Sequence, residues 1–216
     1  MARTRASDHE LQREEILEVA ARAFAARSFP GTSMNDLAKA CGTSKARLYH
    51  YYPGKDAILF DLLERYTGRL IAIATREAAA SGTPAARLQR LIHAFLAEYE
   101  HSQTRHIALL NDVKFLEPAQ RELILAAQRR VVDLFANAIG AAYPQRVDGG
   151  NRTALTMLLF GMINWTFTWL KPNGGAGGRL SYADFAQLVE TVFMRGMEGL
   201  PAQRGEQARG AVRSTH

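Results

Sequence analysis

Apolar residues recur every three or four positions along most of the chain, and no convincing alternating strand pattern interrupts them. The first predicted helix runs from Glu10 to Arg27, with Leu17, Ala20 and Phe24, flanked by Ile16 and Ala23, forming one apolar stripe. Ser7 and Glu10 have the spacing of a capping box at its start. Phe29-Pro30-Gly31 turns the chain, and two short helices follow, Met34 to Cys41 and Lys45 to Tyr51, the second stopped by Pro53. A long helix is expected from Lys55 to Ala79, ending at Ser81-Gly82. Thr83-Pro84 is a helix-start signal for a segment reaching His101. Further helices are expected over Thr104–Asp112, from Glu117-Pro118 to Ala142, over Asn151–Leu170, and from a Ser181/Asp184 cap to Gly196. Lys171–Arg179 reads as a loop and the chain after Pro201 as a disordered tail. The pattern predicts an all-α fold of about nine helices, the first three short and clustered and the rest long.

One of these helices holds a long uncharged run. Ala154 to Leu170 approaches the minimum length of a membrane span, yet it holds three threonines and an asparagine and has no companion span. A helix apolar all round also suits a core or a subunit interface, and that is the reading adopted. The first ten residues are polar and charged, without the apolar stretch of a signal peptide. The single cysteine, Cys41, permits no intrachain disulfide and suits a reducing, cytoplasmic setting. With 47% hydrophobic and 22% charged residues in 216, the composition is that of a globular protein. A net charge of +6 favours polyanionic partners without identifying one.

The chemistry-bearing segment is Gly31 to Leu59, GTSMNDLAKACGTSKARLYHYYPGKDAIL. It reads helix, tight turn, helix, anchored by Met34, Leu37, Ala38, Cys41 and Leu48. Gly42 stands where the chain must leave the first helix in a left-handed conformation. In such a helix-turn-helix the start of the second helix meets base edges in the major groove, which singles out Ser44, Lys45, Ala46 and Arg47. Tyr49 and His50 lie just beyond, within reach of phosphate or base. Thr32 and Ser33 open one helix and Gly54 and Lys55 another, and helix N-termini carry amides and positive potential that suit a phosphate. Arg3 and Arg5 on the leading segment can reach an adjacent minor groove, or simply be solvated.

The whole segment resembles the TetR/AcrR family of repressors. Gly31, Thr32, Ser33, Leu37, Ala38, Gly42, Ser44, Leu48, Tyr49, Tyr51, Tyr52, Lys55, Asp56 and Leu59 fall on that family's pattern in register. Cys41 replaces the usual alanine, and Gly54 replaces the usual serine or asparagine cap, a role glycine also fills. The resemblance implies a DNA-binding domain over residues 1–56, a ligand-binding and dimerisation domain over 57–200, and a tail over 201–216. It also implies a homodimer formed through the last two long helices, bound to a double-stranded, pseudo-palindromic operator. Leu188, Val189, Val192, Phe193 and Met197 give the final helix the apolar face this requires.

A second resemblance concerns Leu109–Pro118 and Gly161–Gly174, which look like TetR repressors released by acyl-CoA thioesters. It implies a small-molecule effector. Phe95, Tyr99, Leu110, Phe160, Trp165 and Trp169 would line an apolar tunnel, Asn111 and Asn164 would orient the thioester, and Arg129 or Arg130 would meet phosphates at its mouth. Ordinary core packing accounts for each aromatic equally, and a solvated helix face for the two arginines. Another apolar or aromatic ligand, and an activator rather than a repressor, remain open at this point.

An enzyme is the rival class. No HExxH, P-loop or nucleophile set is present, and Cys41 belongs to the helix-turn-helix packing. Asn173–Gly178 follows no strand and is no dinucleotide fingerprint. His93, His101 and His106 lack the i, i+4 spacing of a helical metal site, so no metal or cofactor is expected. A structural DNA-binding protein without effector would rest on phosphate contacts alone. The large aromatic C-terminal segment favours sensing.

Overall fold

The computed structural model describes residues 2–171 and 180–202, with side chains from residue 8 onward. Among these residues the chain forms nine α-helices and no strand. They are α1 (Ala2–Arg27), α2 (Met34–Ala40), α3 (Lys45–Tyr51), α4 (Lys55–Ala79), α5 (Pro84–His101), α6 (Gln103–Asp112), α7 (Pro118–Ala142), α8 (Arg152–Asn164) and α9 (Tyr182–Gly199). Short 3-10 turns follow α6 (Val113–Phe115) and α8 (Trp165–Thr168).

Two boundaries differ substantially from the sequence expectation, and others shift by one to three residues, as where α9 ends at Gly199 rather than Gly196. Helix α1 begins at Ala2 rather than Glu10, so Ser7 lies inside the helix and does not cap it. Nothing between Ala2 and Glu10 breaks a helix, and the capping-box spacing there is coincidental. The apolar segment expected to run helical to Leu170 leaves α-geometry after Asn164. In its Trp-Thr-Phe-Thr-Trp run the Thr166 hydroxyl donates to the Ile163 carbonyl and the Thr168 hydroxyl to the Trp165 carbonyl, each at 2.8–2.9 Å. Branched and aromatic residues lose rotamer freedom in a helix, and these hydroxyls compete for its carbonyls, so the last turn tightens to 3-10. Most of the expected loop and tail, residues 172–179 and 203–216, lies outside the described residues, as do the side chains of Arg3 and Arg5. No helix among the described residues is long and apolar enough to cross a membrane.

The chain divides into two compact units. The first comprises Met1–Ala72 and Glu98–Val131. In it α1 packs along α6 and against α2, and α2 packs on α3. Its core holds Leu17, Phe24, Leu37, Leu48, Ile58, Leu59, Leu62 and Leu63, all at most 1% exposed. Buried Arg105 of α6 ties that helix to α1, donating to Glu14 at 2.5 Å and Glu18 at 3.2 Å. The Tyr66 hydroxyl and His106 Nδ1 meet at 3.2 Å, and the Tyr99 ring stacks on His106 with centroids 4.0 Å apart.

The second unit comprises Ile73–Ala97 and Val132–His216. Phe135 lies between Phe95 and Phe160, with ring centroids 4.6 and 4.8 Å away, geometry favoured by aromatic quadrupoles. Helix α8 packs on α9, burying Leu155, Leu159 and Ile163 of the one and Ala186, Val189, Phe193 and Met197 of the other. Ser181 and Asp184 form the reciprocal cap expected at the start of α9. Glu190 of α9 accepts from Gln89 at 2.8 Å and meets His93 Nε2 at 2.6 Å, fastening α9 to α5.

Candidate DNA-binding site

Helices α2 and α3 are each only seven residues, too short to persist alone, so caps and a few buried anchors must hold them. Ser33 caps α2 in a full capping box: its hydroxyl accepts from the Asp36 amide, and the Asp36 carboxylate accepts from the Ser33 amide at 2.9 Å. Those Ser33 hydrogen bonds hold the Asp36 carboxyl below its ordinary range. Ser44 caps α3 by accepting from the Arg47 amide at 3.1 Å. Between them Gly42 has φ +62°, the left-handed conformation that turns the chain out of α2. Leu48 is fully buried and seats α3 on the core, while Lys45, Ala46, Arg47, Tyr49 and His50 remain exposed. The first turn of α3 has no acidic residue, so Lys45, Arg47 and the helix dipole together present positive potential. The Lys45 ammonium lies 5.8 Å from the centroid of the Tyr49 ring.

A buried electrostatic knot fixes the exit of α3. Tyr52, the residue after it, is 2% exposed and donates to Asp61 of α4 at 2.5 Å. Arg13 of α1 donates to the same carboxylate at 2.7 Å, and Arg65 donates to its other oxygen at 2.8 Å. Burial by itself would raise the Asp61 carboxyl, but hydrogen bonds from Tyr52, Arg65 and Arg13 together hold it below the ordinary range. Burial and the Asp61 bond push the Tyr52 phenol upward. Arg65 is paired in addition with Glu10.

Two residues assigned to phosphate by their positions are engaged inside the protein. Thr32 is 1% exposed, and its hydroxyl donates to the Ser28 carbonyl at 2.9 Å. Lys55 Nζ donates to the carbonyls of Phe29 and Thr32 at 2.9 and 3.0 Å and sits 4.2 Å from the Phe29 ring centroid. Both therefore shape the lead-in to α2. Ser33 is exposed, with the Asp36 carboxylate occupying the α2 N-terminus beside it. The structural roles of Asp61, Arg13 and Asp112 escaped sequence reasoning. For Asp61 and Asp112 the one signal was an acidic residue within an apolar stretch, as in AILFDLLERY and LLNDVKFL, and Arg13 carried none.

The residues expected around an effector are distributed over both units. Phe95 and Phe160 are brought together on Phe135 in the second unit. There Asn164 is half-buried, while Trp165 and Trp169 are 65% and 49% exposed, Trp169 lying edge-on to Phe185. In the first unit Tyr99 is buried, and Leu110, Asn111, Arg129 and Arg130 are exposed, Arg129 pairing with Glu122. Burial raises the half-buried Cys41 thiol, which makes it a poor nucleophile. No group of three metal-ligating side chains occurs among the described residues.

A capped tri-helical head whose third helix, α3, is basic and exposed is the architecture of a helix-turn-helix DNA-binding regulator. Residues 16–62 match the family model for bacterial regulatory proteins of the tetR family, and residues 81–197 match the tetracyclin repressor-like C-terminal domain. The chain belongs to the TetR family of transcription regulators, which are not enzymes. Among its relatives, the transcriptional repressor KstR2 of Mycolicibacterium smegmatis is 28% identical over 86% of this chain and 90% of its own length. KstR2 of Mycobacterium tuberculosis is 32% identical, the match spanning 55% of each chain, about half the relative's length. Among solved structures, a TetR-family regulator from Bordetella parapertussis has TM-score 0.80 at 33% identity, covering 88% of this chain and 98% of that one. AibR, solved with isovaleryl coenzyme A and operator DNA, has TM-score 0.73 at 26% identity, covering 84% and 97%.

Proposed function

We propose that this protein is a ligand-responsive repressor that binds a pseudo-palindromic operator as a homodimer and is released by a small effector, an acyl-CoA thioester. The observation that carries the DNA-binding part is α3, which offers Lys45, Arg47, Tyr49 and His50 to solvent from a seat fixed by Leu48, two serine caps and Gly42. Long basic side chains at the start of such a helix suit guanine edges and phosphates.

The homodimer is supported by apolar surface that a single chain leaves wet. Met157, Leu158 and Trp165 are 44%, 63% and 65% exposed, and Leu188 and Val192 of α9 are 50% and 56% exposed. Gly161 falls between Met157 and Trp165 on the i, i+4 line, and Gly196 follows Leu188 and Val192 in the same way. A Cβ at either glycine would meet nothing within 4 Å, so a partner helix could approach closely there. Covering such a face gains about 25 cal/mol per Å² of apolar area. Two-fold pairing matches two recognition helices to two half-sites.

The acyl-CoA assignment is supported by the Leu109–Pro118 and Gly161–Gly174 resemblance and by the ligand solved in AibR. Helix α4, which begins at the helix-turn-helix and continues past Ala72 into the second unit's residues, is the covalent route for a response. A ligand-driven shift of α4 would change the spacing of the two α3 helices, a coupling typically worth about 1–3 kcal/mol. The test is fluorescence anisotropy of a labelled fragment from upstream of the protein's own gene, bound at fixed salt and challenged with thioesters and their free acids. Release by a thioester and not by its acid is expected. Tight binding that no thioester disturbs would remove the effector assignment.

A further inference from the structure

Phe29, in the loop between α1 and α2, is held through both its backbone and its ring. Its amide donates to Asp112 Oδ1 at 3.3 Å, across 83 residues of sequence, and its carbonyl accepts from Lys55 at 2.9 Å. Its ring packs on Phe24 with centroids 5.4 Å apart and lies nearly parallel to Phe115, at 5.7 Å and 22°. Asp112 ends α6 and is 2% exposed; Phe115 closes the 3-10 turn that follows. Burial raises the Asp112 carboxyl even though the Phe29 amide and Lys114 act to lower it. Burying this carboxyl costs free energy that its bond to the Phe29 amide partly offsets, so the two are held together.

Little slack lies between Phe29 and α2. Pro30 has its φ fixed by its ring. A Cβ on Gly31 would come within 2.2 Å of the Arg27 carbonyl oxygen, so the chain passes flush against the end of α1. Thr32 is tied to Ser28, and Ser33 is the cap of α2. A displacement of Phe29 is therefore passed on to α2, and from α2 to α3 packed against it.

We infer that the end of α6 positions the helix-turn-helix directly through Phe29, and that Asp112 and Phe115 are positioning residues for DNA binding that touch no DNA. This adds a route through α6 to the one along α4. Its consequence for DNA rests on the operator-binding reading, but its mechanical part does not.

Hydrogen exchange on the full-length protein without DNA tests the mechanical part, in Asp112→Ala, Asp112→Asn, Phe115→Ala and Phe115→Leu. Loss of a buried hydrogen bond should speed exchange across residues 29–41 by about tenfold in Asp112→Ala, with α9 unchanged. Asp112→Asn keeps an oxygen that accepts the Phe29 amide and should restore slow exchange. Phe115 is 38% exposed, so its variants should fold and show the same regional effect, smaller for leucine. On the upstream DNA fragment, Asp112→Ala should bind more weakly with an unchanged salt slope, because no phosphate contact is lost. Unchanged exchange over 29–41 in Asp112→Ala and Phe115→Ala, or an Asp112→Asn profile equal to that of Asp112→Ala, would overturn the inference. If wild type bound no DNA while the exchange effect held, the operator reading alone would fail.

Discussion

Replacing Asp61 by asparagine keeps the shape of the knot under α3 and removes its charge. Tyr52 and Arg13 can still donate to the amide oxygen, but the amide nitrogen must then face Arg65, donor against donor. Breaking a buried ion pair on one side costs about 3–5 kcal/mol. Here Arg13 and Arg65 are 31% and 33% exposed at their side chains, and Arg65 keeps Glu10, so water and that pairing recover part of the loss. A cost of about 2–3 kcal/mol remains, which lowers Tm by roughly 4–12 °C in a chain of this size. The pH dependence has a definite sign. Because the folded Asp61 carboxyl titrates below its unfolded value, its stabilisation is complete above the unfolded pKa of about 3.9 and is lost as pH falls through the folded one. Thermal melts followed by circular dichroism should therefore show a constant gap between wild type and Asp61→Asn from about pH 8 to pH 5, closing only in stronger acid. A variant melting with wild type at pH 7, or a gap already closing near pH 6, would refute the reasoning.

Other predictions follow from single features. Gly42→Ala should cost about 1–2 kcal/mol through its left-handed φ alone, while Gly31→Ala, which drives a Cβ into the Arg27 carbonyl, should cost more; urea unfolding compares them. Arg47→Ala and Lys45→Ala should each weaken operator binding by about 1–3 kcal/mol where the side chain reads a base, or lower the salt slope by about 1 where it meets phosphate. Leu158→Glu together with Leu188→Glu should yield monomers by sedimentation with the fold retained, because both residues are exposed in the single chain. A double variant that still sediments as a dimer would place the interface elsewhere.

How much could be read from the sequence depended on whether local signals acted alone. Lys45–Tyr51, Lys55–Ala79 and the cap at Ser181 were legible because proline, glycine and capping residues bounded clear periodic runs. The start of α1 and the end of α8 were not, since one lacked a stop signal and the other lost α-geometry to threonine hydroxyls within an apolar run. At the candidate DNA site, the exposed face of α3 followed from motif position and helical phase. Thr32 and Lys55 carried no mark of their internal bonds, because those partners are carbonyls and any residue supplies one. Asp61 and Asp112 act on residues nine and 83 positions away, the second a tertiary pairing that no local pattern encodes.

The most direct test of a dimeric, operator-specific regulator is hydroxyl-radical footprinting on the DNA upstream of its gene, at fixed salt. Two symmetric protected half-sites, spaced about one helical turn or a multiple of it, are predicted, and they should vanish together in the Leu158→Glu, Leu188→Glu variant. Even protection along the fragment, falling away uniformly with salt, would mean binding through phosphates alone and would contradict the proposal.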